Sequence, residues 1–149
     1  MIGGKPTFYY IGGGAIGAAE DLRSNSSAIH TFTITEKCKP IRAGVTITTS
    51  NGSKYTDVKF TGQAGTAGNC GYVRIPITAV AGECYYEDTD YVDAGTGGWL
   101  ASLEEGDQVI VSVVIEGATP TAYGIPWLKV ELSPEMPGNN TGMVEAGQN

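Results

Sequence analysis

The sequence predicts an all-β protein: an antiparallel β-sandwich or small barrel of seven to eight strands, with an extended N-terminal arm and a flexible C-terminal tail. Three observations carry this. From residue 29 onward apolar and polar residues alternate with a period of two, whereas no stretch after residue 23 repeats at the helical period. Turn residues recur at short intervals between these runs. And 149 residues suit one core, so the division expected is an arm at 1–27, a single β domain at 28–132 and a tail at 133–149.

The arm carries glycines 3, 4, 12, 13, 14 and 17 around one apolar run, Phe8-Tyr9-Tyr10-Ile11. In the core, Ile29 to Thr35 alternates with Phe32 and Ile34 on one face. Val45, Ile47 and Thr49 form a second run, and Tyr55 to Phe60 a third. Ser50-Asn51-Gly52-Ser53 between them reads as a type I′ hairpin turn, because Asn and Gly reach positive φ most cheaply. Gly62 to Gly71 reads as a loop. Tyr72 to Thr78 places Val73, Ile75 and Ile77 on a buried face, with Pro76 marking an edge strand. Cys84-Tyr85-Tyr86 is a further short strand, followed by an acidic loop from Glu87 to Gly98. Leu103 to Asp107 is a turn into Val109–Ile115, apolar on both faces and therefore central. Tyr123 to Leu132 is the last strand. The polar, Pro- and Gly-marked tail has nothing with which to build a core.

Nine Lys and Arg against 16 Asp and Glu give a charge of −7, and the cations are scattered singly. That argues against a nucleic-acid partner, which requires a cationic stripe. No apolar run approaches the length of a membrane span, and no basic stretch precedes an apolar run at the N-terminus. The expectation is a protein made in a cytoplasm and not exported by the general route. Cys38, Cys70 and Cys84 make an odd count; a Cys70–Cys84 bridge is possible, but that compartment predicts free thiols. His30 with the three cysteines lacks zinc spacing, so no metal is expected. The sequons at Asn25, Asn51 and Asn139 read as turn chemistry.

Gly12-Gly13-Gly14-Ala15-Ile16-Gly17 matches the dinucleotide-binding GxGxxG pattern, with Glu36 near the position of a ribose-binding acid. Three features oppose that reading. The helix that would follow has about two turns, residues 29–35 alternate with threonine where a parallel strand would be continuously apolar, and no further βα unit exists. No cofactor is expected. Asp88, Asp90 and Asp93 lack the glycine placement of a calcium loop, and His30, aligned with Phe32, sits beside no nucleophile-elbow motif. No catalytic residue is assigned and the chain is not expected to be an enzyme. Tyr85, Tyr86, Tyr91, Trp99 and Trp127 could form a stacking platform for sugar, making a carbohydrate- or ligand-binding β module the alternative function.

A compact core rich in Thr, Val and Gly, a glycine-rich arm with an aromatic anchor, and a polar tail together resemble the small accessory proteins of tailed-phage virions, in particular capsid decoration or cement proteins. The resemblance implies a structural protein of the virion. It would bind the major capsid protein or another virion structural protein, associate as a homo-oligomer, and reinforce the lattice. In physical terms, Phe8, Tyr9, Tyr10 and Ile11 would dock on a partner's sheet edge or groove, with Gly12, Gly13, Gly14 and Gly17 as the hinge.

Overall fold

A computed structural model describes residues 6–12, 18–63, 68–88 and 102–132. The chain is all-β and forms a sandwich of two antiparallel sheets that do not close into a barrel. Among the described residues there are nine strands: β1 (Thr7–Ile11), β2 (Glu20–Asp21), β3 (Ser26–Thr33), β4 (Cys38–Thr49), β5 (Thr56–Gln63), β6 (Gly68–Ile75), β7 (Cys84–Asp88), β8 (Gln108–Val114) and β9 (Tyr123–Leu132). Sheet A has the order β1-β9-β4-β7, with β2 also on β9; sheet B has the order β3-β8-β5-β6. The count exceeds the expected seven or eight because the N-terminal region contributes β1 and β2.

Alternation places each apolar set between the sheets. Val45 and Ile47 of β4 and Leu128 and Val130 of β9 face Val58 and Phe60 of β5 and Val109, Val111 and Val113 of β8, all fully buried or nearly so. The run around Val109 is central as expected, since β8 lies between β3 and β5. Leu22, just after β2, is also fully buried and donates its N–H to the Ala122 carbonyl at 3.2 Å, which fixes the end of the N-terminal region to the core.

The expected Asn51-Gly52 hairpin is not formed. β4 has β9 on one side and β7 on the other, so neither edge is open to β5, and the chain crosses to the other sheet. Asn51 is the polar pivot of that crossing. Its amide nitrogen donates to the carbonyls of Lys54 (2.9 Å) and Pro76 (2.9 Å), its side-chain oxygen accepts from the Thr121 N–H (3.1 Å), and its own N–H reaches the Ala79 carbonyl (2.8 Å). Positive φ falls on Ser53, at 66°.

The hairpin lies instead between β5 and β6. Their pairing runs into the stretch read as a loop, with Gly62 opposite Gly68, since a ladder needs backbone and not side chains. Phe60 pairs with Gly71 and Thr61 with Asn69, leaving Cys70 as the extra residue of a bulge that aims it inward, where it is fully buried. β6 is an edge strand, as Pro76 predicted, but it stops at Ile75. Pro76 accepts from the Ala79 N–H (3.1 Å) in the turn that follows, and Ile77 emerges 50% exposed.

Candidate functional site

The site is the outer face of sheet A, and strand register builds it. Ile11 stands opposite Trp127, Trp127 opposite Gly44, and Gly44 opposite Tyr86, so one row crosses β1, β9, β4 and β7. A neighbouring row runs Tyr9, Lys129, Arg42, and on the other side lie Ile125, Thr46 and Cys84. A Cβ built on Gly44 would meet three Trp127 ring atoms at 2.2–2.7 Å, so the indole lies across that glycine and needs it. Tyr9 meets the indole edge-on at 5.5 Å between centroids, and Tyr86 approaches it at 6.5 Å. Such pairs fix ring orientation beyond what area alone would do.

Tyr9, Ile11 and Tyr86 are each half exposed. Lys129 Nζ lies 5.7 Å from the Tyr9 ring centre and the Arg42 guanidinium 4.2 Å from that of Tyr86, so cations rest on the rims of the aromatic surface. Tyr9, Ile11, Thr46, Cys84, Ile125 and Trp127 line a shallow, open hollow of about 450 Å³ that is almost wholly apolar. The arrangement offers area to desolvate and planes to stack on, and its chemistry is that of recognition.

The residues expected to bind a partner divide by the strand period. Tyr9 and Ile11 face outward into the site. Phe8 and Tyr10 face inward, opposite Val130 and Leu128, and are half-buried against the core. The Tyr10 ring lies 6.2 Å from Phe32, and its hydroxyl accepts from the Thr35 N–H at 3.0 Å. All four lie on a strand paired with β9 of the same chain. Of the expected hinge glycines, Gly12 is buried and donates its N–H to the Pro126 carbonyl at 2.7 Å, and a Cβ there would come within 2.8 Å of the proline ring. Gly13, Gly14 and Gly17 lie outside the described residues.

Of the five residues considered for a stacking platform, Tyr86 and Trp127 share this face. Tyr85 packs against the core, and Tyr91 and Trp99 lie outside the described residues. Arg42, Thr46, Ile125 and Lys129 were not singled out from the sequence. The signal was present, because 125, 127 and 129 are the positions of the last strand that alternate with buried Leu128 and Val130.

The remaining chemical groups are arranged otherwise. Asp57, 5% exposed on the outer face of sheet B, accepts from the Tyr72 hydroxyl and from Arg74 Nε (2.7 Å) and Nη2 (2.9 Å). Burial, reinforced by the Asp57 carboxylate, pushes the Tyr72 hydroxyl up to about 12, and Asp57 holds the Arg74 guanidinium protonated. His30 packs edge-on against Phe32 at 4.7 Å, with Glu20 Oε2 4.0 Å from its Nδ1. All three cysteines are free. Cys70 points between the sheets and Cys84 into the outer hollow, on opposite sides of sheet A, so the pairing raised from the sequence does not form. Burial raises the Cys38 thiol to about 11 and the Cys70 thiol to about 12, which keeps both protonated and inert. Among the described residues no group of three or more His, Cys, Asp or Glu could hold a metal, and no helix is long and apolar enough to cross a membrane. The described residues do not assemble the dinucleotide unit: among them every strand pair is antiparallel, and Glu20–Asp21 is a strand where a helix would be required. Compared with known proteins, the sequence matches no family model, no curated protein and no solved structure.

Proposed function

We propose that the chain is a structural, non-catalytic protein of a virion that attaches to a capsid lattice through the outer face of sheet A and stiffens it. The observation that supports this reading is the face itself, where Tyr9, Ile11 and Tyr86 stand half exposed around a partly buried Trp127 on a sheet of a chain whose charge is −7. Contiguous exposed apolar surface marks contact sites, and Trp and Tyr anchor them because they bury much area at little entropic cost. The partner is the major capsid protein or another structural protein of the virion. Many copies on a symmetric lattice convert a modest single contact into firm attachment. The negative charge suits a position outside the shell, away from packaged nucleic acid.

The test is sedimentation of the full chain with capsid shells prepared from its own source. The wild type pellets with the shells, and Trp127→Ala binds at least about tenfold more weakly while remaining folded, the loss expected of a central aromatic anchor. A wild type that stays in the supernatant defeats the reading. One observation favours a second reading, a carbohydrate-binding module: an indole lying across Gly44 between two tyrosines is a surface on which a pyranose ring stacks. Glycan-array binding that Trp127→Ala abolishes would select it.

A further inference from the structure

The N-terminal region covers one edge of β9 in two separate blocks. β1 pairs with Trp127–Glu131 and β2 with Tyr123 and Gly124. Ile11 is opposite Trp127 and Glu20 is opposite Gly124, so the chain uses residues 12–19 to pass only Ile125 and Pro126. Pro126 accounts for the division. Its carbonyl accepts from Gly12 on this edge, so its missing N–H belongs to the same edge, and a ladder cannot continue through it. Ile11 is the last β1 residue paired before that break.

The two blocks are also held differently. β2 is followed at once by Leu22, which is fully buried. No residue of β1 is fully buried, and β1 hydrogen-bonds to β9 alone in the sheet. β1 can therefore leave its edge while β2 and Leu22 keep the N-terminal region anchored. Five residues, 13–17, with three glycines among them, separate Gly12 from Ala18, a length that spans about 16 Å when extended. The vacated edge would expose unpaired backbone beside Trp127 and Val130, a surface that invites an added strand.

We infer that β1 is an exchangeable strand: the Trp127–Glu131 edge of β9 accepts the Thr7–Ile11 strand of a second copy of this chain. The incoming strand has the same sequence and meets the same register, so Phe8 and Tyr10 enter the positions they occupy in their own chain, and every hydrogen bond is conserved. Exchange therefore adds no new contact and loses none, and local concentration on an assembly governs it. The inference deepens the proposed function by linking neighbouring copies on a lattice, but exchange between free copies does not depend on a shell.

The test uses the Tyr9–Lys129 register pair. Two full-length chains, Tyr9→Cys/Cys84→Ser and Lys129→Cys/Cys84→Ser, are mixed and oxidised with glutathione disulfide; Cys38 and Cys70 stay buried. A covalent heterodimer that grows with incubation time and chain concentration is expected. Its absence, while the single chain Tyr9→Cys/Lys129→Cys/Cys84→Ser closes its own disulfide as a monomer, overturns the inference. Should that control chain not close, hydrogen exchange of the wild type decides. Paired amides of β1 exchanging at least about tenfold faster than those of the β4–β9 ladder support a detachable strand, and equal rates overturn it. A chain that exchanges strands yet ignores shells refutes the proposed function alone.

Discussion

The two outer faces of the sandwich are made by the same antiparallel pairing and finish as opposite surfaces. On sheet B a carboxylate is sunk into the face, and Tyr72 and Arg74 close over it with three hydrogen bonds, while the Arg74 guanidinium stacks on Tyr55 at 3.9 Å. The buried carboxylate is thereby satisfied by side chains of its own face. On sheet A the central position of the face is a glycine, the indole of Trp127 lies across it, and the rings of Tyr9 and Tyr86 pack around that indole. One face is satisfied by its own side chains. The other keeps apolar area that only a partner can remove from water.

The largest effect comes from opening the satisfied face. Asp57→Ala removes a carboxylate that is 5% exposed and leaves Tyr72 without its acceptor. Breaking a buried pair costs about 3–5 kcal/mol, but the Arg74 side chain is 54% exposed and can turn to water, so a loss of about 2–3 kcal/mol is expected by urea unfolding. Attachment to shells, measured well below the melting temperature, should not change. If it falls as far as in Trp127→Ala, the two faces do not divide structure from recognition. Gly44→Ala works on the other side. The new Cβ would lie 2.2 Å from Trp127 Cζ2, so the indole must lift from the sheet. The expected cost is about 1–3 kcal/mol, with a shift in Trp127 emission (read in a Trp99→Phe background) and a drop in attachment. Unchanged emission would mean that the indole does not depend on that glycine.

Much of this was legible in the sequence because period-two alternation is a local property. The last strand, the edge position marked by Pro76 and the central place of the Val109 run all followed from a few neighbouring residues. Sheet membership is not local. Asn51-Gly52 has the chemistry of a hairpin turn, yet the hairpin was decided by β7 and β9 occupying both sides of β4, and β9 begins more than 70 residues downstream. The candidate site was half legible for the same reason. Tyr9 and Ile11 drew notice as part of an aromatic run, and Trp127 and Tyr86 as aromatics. Their convergence depends on the register of three strand pairs and on Gly44, whose role is visible only once Trp127 lies over it.

Tyr9→Ala is a smaller perturbation that sharpens the division within one strand. Tyr9 is 50% exposed and contributes an edge-on contact to Trp127, so its loss should cost less than about 1 kcal/mol of stability. It should nevertheless weaken attachment, because the hollow loses one wall. Its neighbour Tyr10 points inward and hydrogen-bonds Thr35, so Tyr10→Phe should leave attachment intact while loosening β1 in hydrogen exchange. The reverse pattern would place the recognition surface on the wrong side of β1.

The narrowest perturbation isolates the hydroxyl that caps the polar face. At neutral pH Tyr72→Phe removes one hydrogen bond to Asp57 and should cost about 1 kcal/mol. Its pH dependence is more telling. Burial and the neighbouring carboxylate raise the hydroxyl from its ordinary 10 to about 12, so the fold favours the protonated form. The stability this contributes is fully present below pH 10. Above that the unfolded chain releases the proton first, and the contribution is lost as pH rises through 12. Cys38 and Cys70, raised from 9 to about 11 and about 12, weaken the fold over an overlapping range, but they do so equally in both chains. The stability difference between wild type and Tyr72→Phe should therefore hold steady to pH 10 and shrink above it. A difference that stays level into strong alkali would mean that the hydroxyl does not close the polar face, leaving Arg74 as the group that saturates Asp57.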